Sequence, residues 1–208
     1  MSRQSKTSRR DAILQCLVGE LENNPTSRIT TAGLARAAGV SEAALYRHFP
    51  SKAKMFEALI EFAEESVFGL INRVQDEHQQ VLTRCGHSLK VVLGFAGKNP
   101  GIARILAGDA LAGEHERLRE RVGQFYERLE TQFRQQLREG AMRGELSEGA
   151  PVAAIANLFL AAAEGRMAQF VRSGFSRQPL DQWDQQWALL AQSCFGAVPH
   201  VEATPQPF

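Results

Sequence analysis

A chain of 208 residues with 44% hydrophobic and 23% charged residues can bury a sizeable core and is too apolar to be disordered throughout. The net charge of +1 hides an asymmetry: residues 1–54 hold nine Lys and Arg against four Asp and Glu (a balance of +5), while the remainder holds fifteen against nineteen (−4). No apolar run approaches the roughly 18 residues of a membrane span, no apolar segment follows the basic start, and Cys16, Cys85 and Cys194 lie too far apart for a metal or redox motif, so the expectation is a cytoplasmic protein with reduced cysteines and no membrane contact.

Residues 1–8 are polar and basic and predict a flexible arm; Arg3 and Lys6 suit a nucleic-acid backbone, although a solvated tail is the simpler reading. From Arg9 to about Glu22, Ile13, Leu14, Leu17, Val18 and Leu21 share one helical face, and Asn23–Ser27 breaks the helix. Three helix signals follow quickly between Ile29 and Lys54. Thr30 or Thr31 caps a short helix whose apolar face is Leu34, Ala35 and Ala38, and Gly39 ends it. Ser41 caps a second helix, Glu42–Phe49, which Pro50 terminates. Helix, a turn containing glycine, helix: this is a helix-turn-helix layout. Its second helix carries Tyr46, Arg47 and His48, all able to donate to phosphates or base edges. Leu17, Leu21, Leu34, Leu45 and Phe49 form the predicted core of a three-helix domain spanning 9–54.

Ser51 caps a third, long helix from Lys52 to about His78, striped by Met55, Phe56, Leu59, Ile60, Ala63, Val67 and Ile71, which joins the two parts of the chain. Further helices are predicted over 80–97, Ile102–Leu111 and Glu114–Gly140. The last has coiled-coil-like spacing at Leu118, Val122, Phe125, Leu129, Phe133 and Leu137, read as one helix of a bundle. A loop at Gly144–Pro151 precedes helices Val152–Ser173 and Leu180–Phe195, and 197–208 reads as a disordered tail. No strand pattern occurs. The fold class is all-α: an N-terminal helix-turn-helix domain plus a C-terminal helical bundle (55–196). Leu158, Phe159, Ala162, Phe170, Trp183, Trp187 and Leu190 on the last two helices predict a homodimer interface; the alternative is that they close the monomer's own core.

The run AGVSEAALYRHFPSK, with its V-S-x-x-x-L-Y-x-x-F-x-S-K spacing, the long connecting helix and the helical C-terminal region resemble the TetR family of DNA-binding regulators. Further runs, EAALYRHFPSKAKMFEALIEF, VLGFAGKNPGIARIL and EGRMAQFVRSGF, resemble the nucleoid occlusion factors of that family. Those proteins bind palindromic chromosomal sites and, when DNA-bound, antagonise polymerisation of the division protein FtsZ. The resemblance implies a dimer on double-stranded DNA, with Glu42–Phe49 of each subunit in the major groove. Thr30, Thr31, Ser41, Tyr46, His48 and Lys52 are the expected backbone contacts, and Ala43 and Ala44 permit close approach. Arg47 reads a base or makes a further phosphate contact. The resemblance also implies an FtsZ site for an extended C-terminal peptide at Phe62, Val91, Gly94, Lys98 and Asn99, with Phe62 alternatively a core residue. Lys98 stands where the relative has arginine, and Leu70 where it has a basic residue.

Two rival functions remain. A repressor released by a small molecule requires an apolar cavity, which Phe95, Phe125, Phe133 and Phe159 are placed to line. The second rival is an enzyme, but the sequence holds no nucleophile elbow, Gly-rich phosphate loop or zinc motif; no cofactor or metal is expected.

Overall fold

The computed structural model describes residues 8–24 and 29–195. Among them are nine α-helices and no strand: α1 Arg9–Asn23, α2 Thr31–Ala37, α3 Glu42–His48, α4 Lys52–Glu77, α5 Val81–Lys98, α6 Pro100–Leu106, α7 Glu116–Met142, α8 Val152–Arg172 and α9 Trp183–Phe195. Arg3, Lys6, the 197–208 tail and most of the predicted breaker lie outside the described residues.

The starts of the first four helices are fixed by side-chain caps. Ser8 Oγ accepts from Asp11 N (3.1 Å) while Asp11 returns a bond to Ser8 N (3.3 Å), so Ser8 belongs to α1 rather than to an arm. Thr30, not Thr31, caps α2 by accepting from Gly33 N (3.1 Å); Ser41 and Ser51 cap α3 and α4 in the same way. Gly39, at φ 63°, makes the left-handed turn between α2 and α3. Two predicted helices move. α6 starts at Pro100, whose missing N–H costs nothing at a helix start, and stops before Gly108 (φ 77°), leaving Asp109–Leu111 as a separate 3₁₀ turn. α9 starts three residues after Leu180, because Gln182 takes φ 57° and interrupts the approach.

The helix-turn-helix unit has no private core. Ile13, Leu17, Leu21, Leu34, Leu45 and Phe49 are buried in one cluster continuous with α4–α8. α1 docks on α6 at backbone distance: a Cβ on Gly101 would lie 2.7 Å from the Val18 carbonyl oxygen. Beside it, Arg104 is only 5% exposed and donates to the Leu21 carbonyl (2.7 Å) and to Asp109 (2.6 Å). The heptad-spaced residues of α7 are all buried, so that helix is a bundle member and not a free coiled coil.

Phe159, Phe170 and Trp183, three of the predicted dimer residues, are spent inside the chain. Phe159 packs edge-on against Phe133 (6.1 Å) and Trp187 (5.1 Å), and Trp187 fits because a Cβ on Gly86 would meet its indole at 2.7 Å. Trp187, Leu190 and Ala162 are half-buried. Periodicity identified two apolar helices but not which apolar face turns inward. The outward face of α8 holds Ala154, Leu158 (44% exposed), Ala161 and Gly165, with Leu189 of α9 69% exposed.

Candidate nucleic-acid interface and partner surface

α3 buries Leu45 and presents Glu42, Ala43, Tyr46, Arg47 and His48 to solvent; Ala44 is half-buried. The Tyr46 hydroxyl donates to Thr31 Oγ1 (3.5 Å), and the Thr31 hydroxyl donates to Glu42 Oε2 (3.2 Å), so a polar chain ties α3 to the start of α2. Thr30 and Ser41 use their oxygens as cap acceptors, which leaves each hydroxyl proton to donate to a phosphate. Glu42 escaped the sequence reading. Its charge favours the N-terminus of α3 and holds Thr31, one of the predicted contacts.

Lys52 differs from expectation. Its ammonium donates to the Ile29 carbonyl (2.9 Å) and pairs with Glu114 (2.5 Å), and both side chains are largely buried. Here Lys52 is a strut between the helix-turn-helix and the approach to α7 rather than an open phosphate ligand. Local sequence could not reveal this, because Glu114 is 62 positions away. The strut begins a run of α4–α7 ion pairs: Glu57 with Arg117, and Glu64 with Arg121 (2.6 Å). Burial pushes the Glu57 carboxyl up, but hydrogen bonds and charge from Lys54 and Arg117 hold it below the usual value. The cleft between these helices, about 500 Å³, is lined by Lys54, Glu57, Arg117, Glu120, Arg121 and Gln124 and is polar.

On the other face of α4, Phe62 is 48% exposed, so it is surface rather than core; its ring centroid lies 6.1 Å from that of Phe95 on α5. Val91 and Gly94 are half-buried and Lys98 is exposed on α5. Asn99 is committed locally: its amide donates to the Phe95 carbonyl (2.8 Å) at the α5–α6 junction. Leu70 is also exposed. The four phenylalanines placed to line a ligand cavity are instead buried core, with Phe125 against Phe68 (5.6 Å) and Phe133 against Phe159 (6.1 Å).

The α4–α5 turn is clasped. Arg84 donates to the carbonyls of Gln75 (3.1 Å) and His78 (2.6 Å), capping the end of α4, and His87 Nδ1 lies 2.8 Å from His78 Nε2. Burial first, then the charges of His78 and Lys90, hold His87 below the ordinary histidine value, with Glu77 opposing. Because the folded value is the lower one, the unfolded chain takes up its proton first as pH falls. The clasp's stabilisation is therefore complete above the ordinary histidine value and is lost as pH drops through it towards the depressed folded value. The melting temperature should fall between about pH 7.5 and about pH 5.5 more steeply for the unmodified protein than for His87→Gln. Equal slopes would show the pair is not the titrating element.

Cys85 and Tyr126 are both pushed well above their ordinary values by burial, and each is tied into the packing: Cys85 to Gln136 (3.6 Å) and Tyr126 to the Leu106 carbonyl (3.1 Å). Among the described residues no helix is long and apolar enough to cross a membrane.

Comparison with known proteins agrees with this geometry. Residues 19–59 match the family described as bacterial regulatory proteins, tetR family, and residues 79–194 match the SlmA-like form of the tetracyclin repressor-like C-terminal domain. The chain is 56% identical over 187 residues to nucleoid occlusion factor SlmA of Alteromonas mediterranea, covering 90% of this chain and 96% of that one. It is 53% identical over 192 residues to nucleoid occlusion factor SlmA of Shewanella woodyi, covering 92% and 98%. The solved structure of the MbdR regulator from Azoarcus sp. CIB superposes with a TM-score of 0.75 at 17% identity, covering 88% of this chain and 97% of that one, and so shares the fold. With a capped helix-turn-helix built into the core of a helical bundle and such identity over nearly the whole of these relatives, the chain belongs to the TetR family, in its SlmA branch.

Proposed function

We propose that this chain is a nucleoid occlusion factor: a cytoplasmic, nucleoid-associated, non-enzymatic homodimer on palindromic chromosomal DNA that binds the C-terminal peptide of FtsZ and blocks septum assembly over the nucleoid. The observation that carries the reading is the placement of Phe62. It is a half-exposed aromatic on the helix that begins at the helix-turn-helix, beside a partly exposed strip of α5. One rigid α4 thus links a DNA surface to an apolar protein-binding surface. The outward faces of α8 and α9 supply the dimer contact, completing a four-helix junction with a second copy. The core packing of Phe95, Phe125, Phe133 and Phe159 weighs against a repressor released by a small molecule.

On DNA, Ala43 and Arg47 face the major groove, and Tyr46, His48 and the hydroxyls of Thr30, Thr31 and Ser41 fix the backbone. Arg47→Ala should weaken specific DNA binding by about 1–3 kcal/mol and relax one base position. A uniform loss across site variants in an anisotropy titration would assign Arg47 to the backbone.

Chromosome-wide occupancy mapping tests the whole reading. Sites scattered over much of the chromosome, sparse near the replication terminus and unrelated to promoters, are expected. A single site upstream of a neighbouring transporter gene would replace this reading with the ligand-responsive repressor.

A further inference from the structure

The segment between α8 and α9 is held in one shape without being a helix. Arg166 of α8 donates to the carbonyls of Gln178 (3.0 Å), Pro179 (3.0 Å) and Asp181 (2.6 Å), and the Asp181 carboxylate accepts from Gln178 N (3.0 Å). Ser173 Oγ accepts from Arg177 N (3.0 Å) at its start. Pro179 is buried against α5: a Cβ on Gly97 would lie 3.3 Å from its ring and from the Gln178 side chain. Leu180, the next residue, is 44% exposed, and its methyl would be 3.7 Å from a Cβ on Gly94.

Val91, Gly94, Phe95 and Lys98 recur at three- and four-residue steps and form one strip of α5. Gly94 and Phe95 are its two edges, about 100° apart around the helix axis, with Val91 and Lys98 between them. Phe62 flanks the strip at the Phe95 edge and Leu180 flanks it at the Gly94 edge. The result is two exposed apolar side chains on opposite sides of the strip, with Val91 and Lys98 between them.

The fold itself does not require a glycine at 94. It sits inside a helix at φ below zero, and an added Cβ meets only an ordinary van der Waals contact. Alanine there would favour the helix by roughly 1 kcal/mol.

We propose that Leu180, on the loop braced by Arg166, is the second wall of the FtsZ peptide groove, and that Gly94 is kept bare so that an extended peptide backbone lies between Leu180 and Phe62. This rests on the nucleoid occlusion reading and adds to it a residue from the far end of the chain. The occupant is an extended apolar segment with one apolar side chain against each wall. Arg166 is a positioning residue: it touches the loop, not the peptide.

The test is a titration of an FtsZ C-terminal peptide against the full-length DNA-bound protein and its Phe62→Ala, Leu180→Ala and Gly94→Ala variants, with melting and DNA affinity measured on each. Leu180→Ala and Gly94→Ala should each weaken the peptide by about tenfold or more while DNA affinity is retained, and Gly94→Ala should melt no lower than the unmodified protein. Unchanged peptide affinity in Leu180→Ala, with Phe62→Ala impaired, overturns the second wall and leaves the nucleoid occlusion reading standing. No binding by the unmodified DNA-bound protein overturns that reading and the wall with it. Gly94→Ala melting clearly lower would show that the glycine serves the fold, and would overturn its assignment to the peptide.

Discussion

Replacing Arg104 by alanine should lower stability by about 2–4 kcal/mol and weaken DNA binding along with it. Arg104 is almost fully buried, and it joins the end of α1, at the Leu21 carbonyl, to the 3₁₀ turn after α6, at Asp109. Truncation strips that bond from a buried carbonyl and leaves a void where α1 meets α6, next to the Gly101–Val18 backbone approach. A stranded charge adds little, since the Asp109 side chain is nearly half in water. That comparison separates the causes. Asp109→Asn keeps the Leu21 bond and removes only a partly solvated counter-charge, so it should cost about 1 kcal/mol or less. Urea unfolding followed by helical circular dichroism measures both; equal losses would move the stabilisation from the α1 contact to the ion pair. Because α1 is one of the three helices of the DNA-reading unit, loosening it from α6 should let α3 drift relative to a second copy of the chain.

Ala161→Arg is expected to turn the protein into a monomer and lower affinity for palindromic DNA by about a hundredfold or more, with little change in the fold of each chain. Ala161 is exposed at the centre of the outward α8 stripe, between Leu158 and Gly165. A Cβ on Gly165 would meet nothing within 4 Å, so the chain's own packing does not require that glycine. Small residues along this face would let a second α8 approach closely, and the exposed Leu158 and Leu189 would supply the apolar area around them. A guanidinium at position 161 would bring two like charges together across a two-fold contact, which costs several kcal/mol. Sedimentation would report the monomer and DNA titration the loss of half-site cooperation. An arginine variant that sediments and binds DNA like the unmodified protein would show that the copies meet elsewhere.

Where structure is decided by neighbours in sequence, the chain could be read directly. Hydroxyl caps at Thr30, Ser41 and Ser51, the left-handed Gly39 and the six-residue apolar register of α7 are local signals, and each lies where its pattern predicted. What depended on distant partners could not be read. Lys52 looked like a phosphate ligand because its partner, Glu114, lies far along the chain. Arg104 carried no signal at all, since its role depends on a carbonyl 83 positions away. Phe159, Phe170 and Trp183 had the apolar chemistry of an interface but are consumed by the monomer, and Leu158 and Leu189 are left outside. For Phe62 the local pattern was balanced between core and surface, and exposure decides for surface.

FtsZ assembly followed by light scattering reads whether the DNA-bound protein acts on FtsZ. In the presence of the protein and duplex DNA carrying its site, assembly should be antagonised, and Phe62→Ala, still bound to the DNA, should leave assembly untouched. FtsZ assembling normally alongside unmodified protein shown to occupy its DNA site would contradict the account.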